Sequence, residues 1–241
     1  MNVDGSAEGL KLLISEIEGY GLEESLRFLA QSFLGKVSFS TSFGKEDQVI
    51  TDAIVRSGAN IRFFTLDTGR LFAETYSVWS ATLEKYDIQI ETFTPDSDEL
   101  NSFLSTKGPN SFFLSVENRK LCCGIRKVQP LRKALEGCNI WITGIRAEQS
   151  SNREDIPALE WDEIHGVIKY HPLIQWKQSE VNEYIQKYEV PYNSLHDRGF
   201  LSIGCAPCTR AIQQGEDFRA GRWWWEENSK KECGLHIKEK K

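Results

Sequence analysis

Between Lys36 and Gly144 short apolar runs, polar turns and amphipathic stretches alternate in three units, with no internal sequence repeat. The first unit has an apolar run over Lys36 to Phe39, a polar loop from Ser40 to Asp47, and then Val49, Ile50, Ala53 and Ile54 on one helical face. The second has a strand over Ile61 to Leu66, a turn at Thr68-Gly69, a helix over Phe72 to Tyr86 and a strand over Ile88 to Phe93. The third runs from a helix around Lys127 to Leu135 into the strand Ile140-Trp141-Ile142-Thr143 and a turn at Gly144. Strands that alternate with helices join by right-handed crossovers, so the pattern predicts an α/β fold with an open, mostly parallel sheet and helices on both faces. In such a sheet the ligand sits outside the carboxyl ends of the strands.

Two helical stretches precede the first strand, with Leu10, Leu13, Ile14 and Ile17 on one and Leu22, Leu26, Leu29 and Phe33 on the other. From about Gln178 the texture changes to one more amphipathic helix, carrying Val181, Tyr184, Ile185 and Tyr188, followed by a polar, Gly- and Trp-rich tail. The expected organisation is a helical lead-in over residues 1–35, an α/β domain over 36–210 and a flexible tail over 211–241. With 40 % hydrophobic residues in 241, the chain has enough apolar content for a sizeable core and too much for a disordered polymer. Its 29 Lys and Arg against 35 Asp and Glu leave a net charge of −6, which argues against a broad nucleic-acid surface while allowing a local basic pocket. No apolar run exceeds three residues, so no membrane span is expected, and the N-terminus lacks the basic-then-apolar order of a secretory signal. A cytoplasmic location, where thiols stay reduced, is the expectation.

Four constellations carry chemistry. Ser40, Thr41, Ser42 and Gly44 lead into a helix start, where hydroxyls and free N–H groups suit a phosphate; an ordinary helix cap has the same composition. Cys122-Cys123 and Cys205-Ala206-Pro207-Cys208 form two local thiol pairs, the ligand complement of structural zinc or a [4Fe–4S] cluster. Adjacent cysteines crowd a single zinc, whereas a cubane offers separate iron corners, and buried unligated thiols are the plainer alternative. Cys138, beside Gly137 and ahead of a strand, reads as a core residue. In the tail, Cys233 stands among Lys230, Lys231 and His236, surroundings that favour a thiolate, although an incidental terminal cysteine has the same setting. Lys127, Arg146, Arg153, Arg219 and Arg222 fall at loop positions, where guanidinium forks would suit a small polyanion.

Taken together, the chain from about Ser38 to His236 resembles the sulfonucleotide reductases of assimilatory sulfate reduction. The landmarks are Ser40-Thr41-Ser42-Phe43-Gly44, Leu66-Asp67-Thr68-Gly69 with Glu74-Thr75-Tyr76, Cys122-Cys123 with Arg126-Lys127, and Thr143-Gly144-Ile145-Arg146. They continue with Leu195-His196-Asp197, Ser202-Ile203-Gly204-Cys205 and the highly specific Glu232-Cys233-Gly234-Leu235-His236. The resemblance implies a sheet of the adenine nucleotide alpha hydrolase type with a C-terminal catalytic tail.

It further implies reduction of adenosine 5′-phosphosulfate to sulfite and AMP. The 3′-phosphorylated sulfonucleotide, or both, is the close alternative. A tRNA-thiolating or ligase-type enzyme on a related sheet would carry a Ser-Gly-Gly-x-Asp-Ser loop, which this chain lacks. By the resemblance Cys233 is the nucleophile, and Cys122, Cys123, Cys205 and Cys208 hold one [4Fe–4S] cluster per subunit with a structural and electrostatic role. Lys127, Arg219 and Arg222 contact the phosphosulfate with His236 near the thiol, and Arg153 and Gly144 are further substrate contacts. Ser40, Ser42 and Gly44 line the nucleotide loop, and Leu66 holds the adenosine side. The chain stops eight residues after Cys233, which implies a separate thioredoxin or glutaredoxin as donor. A homo-oligomer, a tail that closes over the nucleotide, and no flavin or nicotinamide, nucleic-acid or membrane partner complete the expectation.

Overall fold

The computed structural model describes residues 6–150 and 153–226. Two helices, α1 (Ala7–Ile17) and α2 (Leu22–Ser32), lead into β1 (Val37–Ser40), α3 (Lys45–Ser57), β2 (Arg62–Leu66), α4 (Ala73–Tyr86) and β3 (Ile90–Phe93). Next come α5 (Ser97–Lys107), α6 (Val116–Cys123), a π turn at Gly124–Val128, α7 (Gln129–Ala134) and β4 (Ile140–Ile142). A hairpin of β5 (Leu159–Asp162) and β6 (Val167–Tyr170) precedes α8 (Gln178–Lys187). Side chains start several helices: Ser6 accepts from the Gly9 N–H, Asp96 from those of Asp98 and Glu99, and Ser115 from that of Asn118. Gly58, at φ +66°, closes α3 in the left-handed region that glycine enters without a Cβ penalty.

The six strands form one sheet in the order β3-β2-β1-β4-β6-β5, parallel except for the β5–β6 pair. Alternation along the strands divides the core into two layers. Val37, Phe39, Phe63, Ile140, Ile142 and Ile168 pack with α2, α3 and α8, while Phe64, Trp141 and Val167 face Leu131 and Leu135 on the other side. The expected open α/β sheet with two covered faces is therefore present. Helices α5 and α6 and the β5–β6 hairpin add to the sequence reading, because their apolar positions are too few or too irregular to set a period. Among the described residues no helix is long and apolar enough to cross a membrane.

Candidate functional site

The carboxyl ends of β1, β2 and β4 open into a cavity of about 230 Å³. Its floor is the loop after β1. The Ser42 N–H and hydroxyl both donate to Asp47 Oδ2 at 2.6 Å, which ties the loop to the first turn of α3. Phe43, between them, holds φ +61°, a left-handed conformation uncommon for a bulky residue, and its buried ring stacks on Trp79 at 5.2 Å. Burial raises the Asp47 carboxyl to about 6 against the opposing effect of the Ser42 hydrogen bonds. Gly144 allows this arrangement, since a Cβ there would fall on the Asp47 carboxylate.

Ser40, Ser42, Gly44, Leu66, Lys127, Gly144, Arg153, Arg219 and Arg222 all line this one cavity. Arg153 is buried and donates to Gln149 Oε1 at 2.6 Å. Arg222 is buried above the Trp223 ring, its carbon Cζ 4.8 Å from the centroid, and it donates to the Ile203 carbonyl at 3.3 Å. Arg146 corrects the sequence expectation of a cation gathered at the pocket. It is fully buried, and it donates to Glu46 Oε1 at 2.8 Å, Glu148 Oε2 at 2.7 Å and the Trp176 carbonyl at 3.1 Å. An arginine whose donors are met by carboxylates and a carbonyl braces the loop after β4. Asp47, Thr65, Thr68, Thr143, His196 and Phe218 also line the cavity. Thr68, Thr143 and His196 stand inside the landmark motifs of the sequence, whereas Asp47, Thr65 and Phe218 belong to no motif that singles them out. Cys233 and His236 lie outside the described residues.

Behind the basic wall sits a thiol layer. Cys122, Cys205 and Cys208 share one apolar cluster with Phe103, Phe112, Ile125 and Trp223, and half-buried Cys123 adjoins Cys122 at the end of α6. Burial raises the Cys122 thiol, and it pushes that of Cys208 up to about 12, with neighbouring thiols adding to the effect. The Thr68 hydroxyl is 3.3 Å from Cys205 Sγ, and Arg126 donates to the Thr68 carbonyl at 2.5 Å, so the turn after β2 is pinned to this layer. The π turn that joins α6 to α7 carries Lys127 from the thiols to the cavity. In it the Gln129 N–H bonds to the Gly124 carbonyl, and Pro130, which has no N–H to offer the Arg126 carbonyl, follows at once. Among the described residues no three His, Cys, Asp or Glu side chains converge on a single-ion site. Cys138 stands apart at the edge of the core layer under β4, where its S–H donates to the Ile140 carbonyl at 3.0 Å.

A mostly parallel sheet flanked on both faces, with a hydroxyl loop running into a helix N-terminus at its carboxyl edge, is the fold of an α/β protein of the adenine nucleotide alpha hydrolase type. The phosphoadenosine phosphosulfate reductase domain matches residues 36–211, and the chain belongs to that family. Among its relatives, adenosine 5′-phosphosulfate reductase of Allochromatium vinosum is 49 % identical over 206 residues, covering 86 % of this chain and 80 % of that protein. The protein of the same name from Sinorhizobium fredii is 46 % identical over 229 residues, covering 95 % and 91 %. A crystal structure of phosphoadenylyl-sulfate reductase from Candida auris in complex with phosphate superposes with a TM-score of 0.73 at 29 % identity, covering 85 % of this chain and 98 % of that one. FMN adenylyltransferase of Candida glabrata, at 15 % identity and a TM-score of 0.51 over 90 % of this chain and 79 % of its own, shares the fold alone.

Proposed function

We propose that this chain reduces adenosine 5′-phosphosulfate to sulfite and AMP in sulfate assimilation, with a thioredoxin or glutaredoxin as donor. The observation that carries the reading is the gathering of Lys127, Arg153, Arg219 and Arg222 around one cavity that the Ser40–Gly44 loop also lines. Relatives bearing that reductase's name, 46–49 % identical over most of the chain, support it.

The Cys233 thiolate attacks the sulfur of the bound sulfonucleotide. A sulfur–sulfur bond forms, the bond from sulfur to the phosphate oxygen breaks, and AMP leaves with the electron pair. A donor thiolate then attacks Cys233 Sγ and releases sulfite with its electron pair; the donor's second thiol resolves the mixed disulfide and restores the Cys233 thiolate. Both electrons come from the dithiol, which ends as a disulfide. The first step brings one anion onto another, so the cationic wall offsets the repulsion and stabilises the charge growing on the leaving phosphate.

Cys122, Cys123, Cys205 and Cys208 are the residues that would hold a [4Fe–4S] cluster, one per subunit. The chemistry of the donor set fits: it is thiol only, and Cys122, Cys205 and Cys208 are enclosed by apolar side chains. Adjacent residues on a helix point about 100° apart, which suits a ligand with one iron for each sulfur better than a lone zinc. When bound, the cluster supplies a rigid, charged support beside Lys127. A cytoplasmic homo-oligomer whose tail closes over the nucleotide completes the proposal.

Sulfite release from each of the two sulfonucleotides, with reduced thioredoxin, tests the reading on wild type and Cys233→Ser. Turnover of the 5′-phosphosulfate that Cys233→Ser abolishes is expected. Turnover that survives the substitution would overturn the mechanism.

A further inference from the structure

The β5–β6 hairpin places a buried histidine behind the cavity, and its hydrogen bonding fixes what one cavity wall can recognise. His171, fully buried after β6, has Nδ1 2.7 Å from Thr143 Oγ1, while Nε2 makes no hydrogen bond and lies 3.5 Å from the Glu160 Oε1 carboxylate oxygen. A bare ring lone pair would face that negative oxygen with repulsion, whereas an N–H faces it with attraction, so the ring hydrogen is placed on Nε2. Nδ1 is then an acceptor, and the single Thr143 hydroxyl hydrogen is committed to it. Thr143 Oγ1 faces a ligand with lone pairs alone.

Ser40 has the opposite polarity. Trp141 Nε1 donates to Ser40 Oγ at 2.8 Å, which occupies a lone pair and leaves the hydroxyl hydrogen to be given away. Phe39 pairs with Ile142 across β1 and β4, so Ser40 and Thr143 are the next facing positions, and both line the cavity. Side by side at the carboxyl edge stand one hydrogen-bond donor and one acceptor.

We infer that Ser40 and Thr143 form a donor–acceptor pair that selects a nucleoside group able both to give and to take a hydrogen bond, with His171 as the positioning residue. This inference rests on the nucleotide reading above. A phosphate or sulfate oxygen only accepts, so it is refused at Thr143 and directed to the basic wall. Two nucleoside groups have the required chemistry: a ribose hydroxyl, and the adenine edge that pairs an amino hydrogen with a ring nitrogen.

The test is equilibrium binding of AMP, inosine 5′-monophosphate, 2′-deoxy-AMP and 3′-deoxy-AMP to full-length wild type and Thr143→Val. One of the three analogues should bind wild type about tenfold more weakly than AMP, the scale of one lost hydrogen bond in a buried site, and its identity names the group. In Thr143→Val that difference should collapse. If all analogues bind wild type as AMP does, or the difference persists in the variant, the pair has no such role. Wild type that does not bind AMP overturns the nucleotide reading and this inference together. Independently of any variant, ¹⁵N imidazole spectra of wild type should show His171 with an unprotonated Nδ1 and a protonated Nε2; the reverse tautomer overturns the inference.

Discussion

Arg222 lies so close to the backbone of Gly204 that a Cβ at position 204 would fall on its guanidinium. The glycine is therefore what lets this cation stand in the cavity wall. Gly204→Ala should displace Arg222 and weaken AMP binding by about 10–100-fold, the range of a charge-assisted hydrogen bond. Arg222→Ala should give a similar loss, and the double variant should be no worse than either alone, because both remove one contact. Additive losses in a titration series would show that the two residues act separately.

The Asp47 carboxyl should leave a mark on stability against pH. Its value in the folded protein is about 6, against about 3.9 when unfolded. Between those two values the native state keeps a proton that the unfolded chain has released, so this residue's contribution falls as pH rises from about 4 to about 6 and is level above. The loss is on the order of 3 kcal/mol. Urea midpoints of wild type and Asp47→Asn should diverge across that window; parallel profiles would sink the assignment.

Arg146 and Arg219 should fail in opposite ways. Removing the Arg146 side chain strands the buried Glu46 carboxylate, and Arg146→Ala should cost about 3–5 kcal/mol of unfolding free energy. Arg219, half-buried in the cavity wall, should lose AMP affinity as Arg219→Ala while its stability stays within about 1 kcal/mol of wild type. Denaturation and binding measured on both variants separate a brace from a ligand contact.

The thiols divide by location. Cys122→Ser and Cys208→Ser should lower the iron and acid-labile sulfide of anaerobically purified protein by more than half. Cys138→Ser, beneath β4 and away from the thiol layer, should leave both contents unchanged. Iron retained by both Cys122→Ser and Cys208→Ser would remove those two cysteines from the ligand set.

Much of this arrangement was legible in the sequence because it is carried by period and by rare residues. The alternation from Lys36 to Gly144 anticipates β1 to β4, and the two cysteine pairs and the loop cations mark a site. What escaped depends on contacts that no local pattern encodes. The β5–β6 hairpin is short and interrupted by Glu160 and Lys169, and the buried Lys169 is tolerated because Asp162 meets it at 2.6 Å. Arg146 and Arg153 look alike as sequence, and it is Glu46 and Glu148, distant or inconspicuous along the chain, that make Arg146 a brace. Thr143 and Asp47 are common residue types whose roles arise from His171 and Ser42, partners distant or inconspicuous along the chain.

The π turn at Gly124–Val128 has a consequence for descent as well as for geometry. A helical residue turns about 100°, so deleting a single residue between Cys123 and Lys127 would swing the thiol pair and the cation onto different sides of the same rod. Point substitutions there cost one contact each, whereas a one-residue indel severs two sites at once. The length of the interval is thus set jointly by the thiol pair and the cation, and neither requirement alone would fix it.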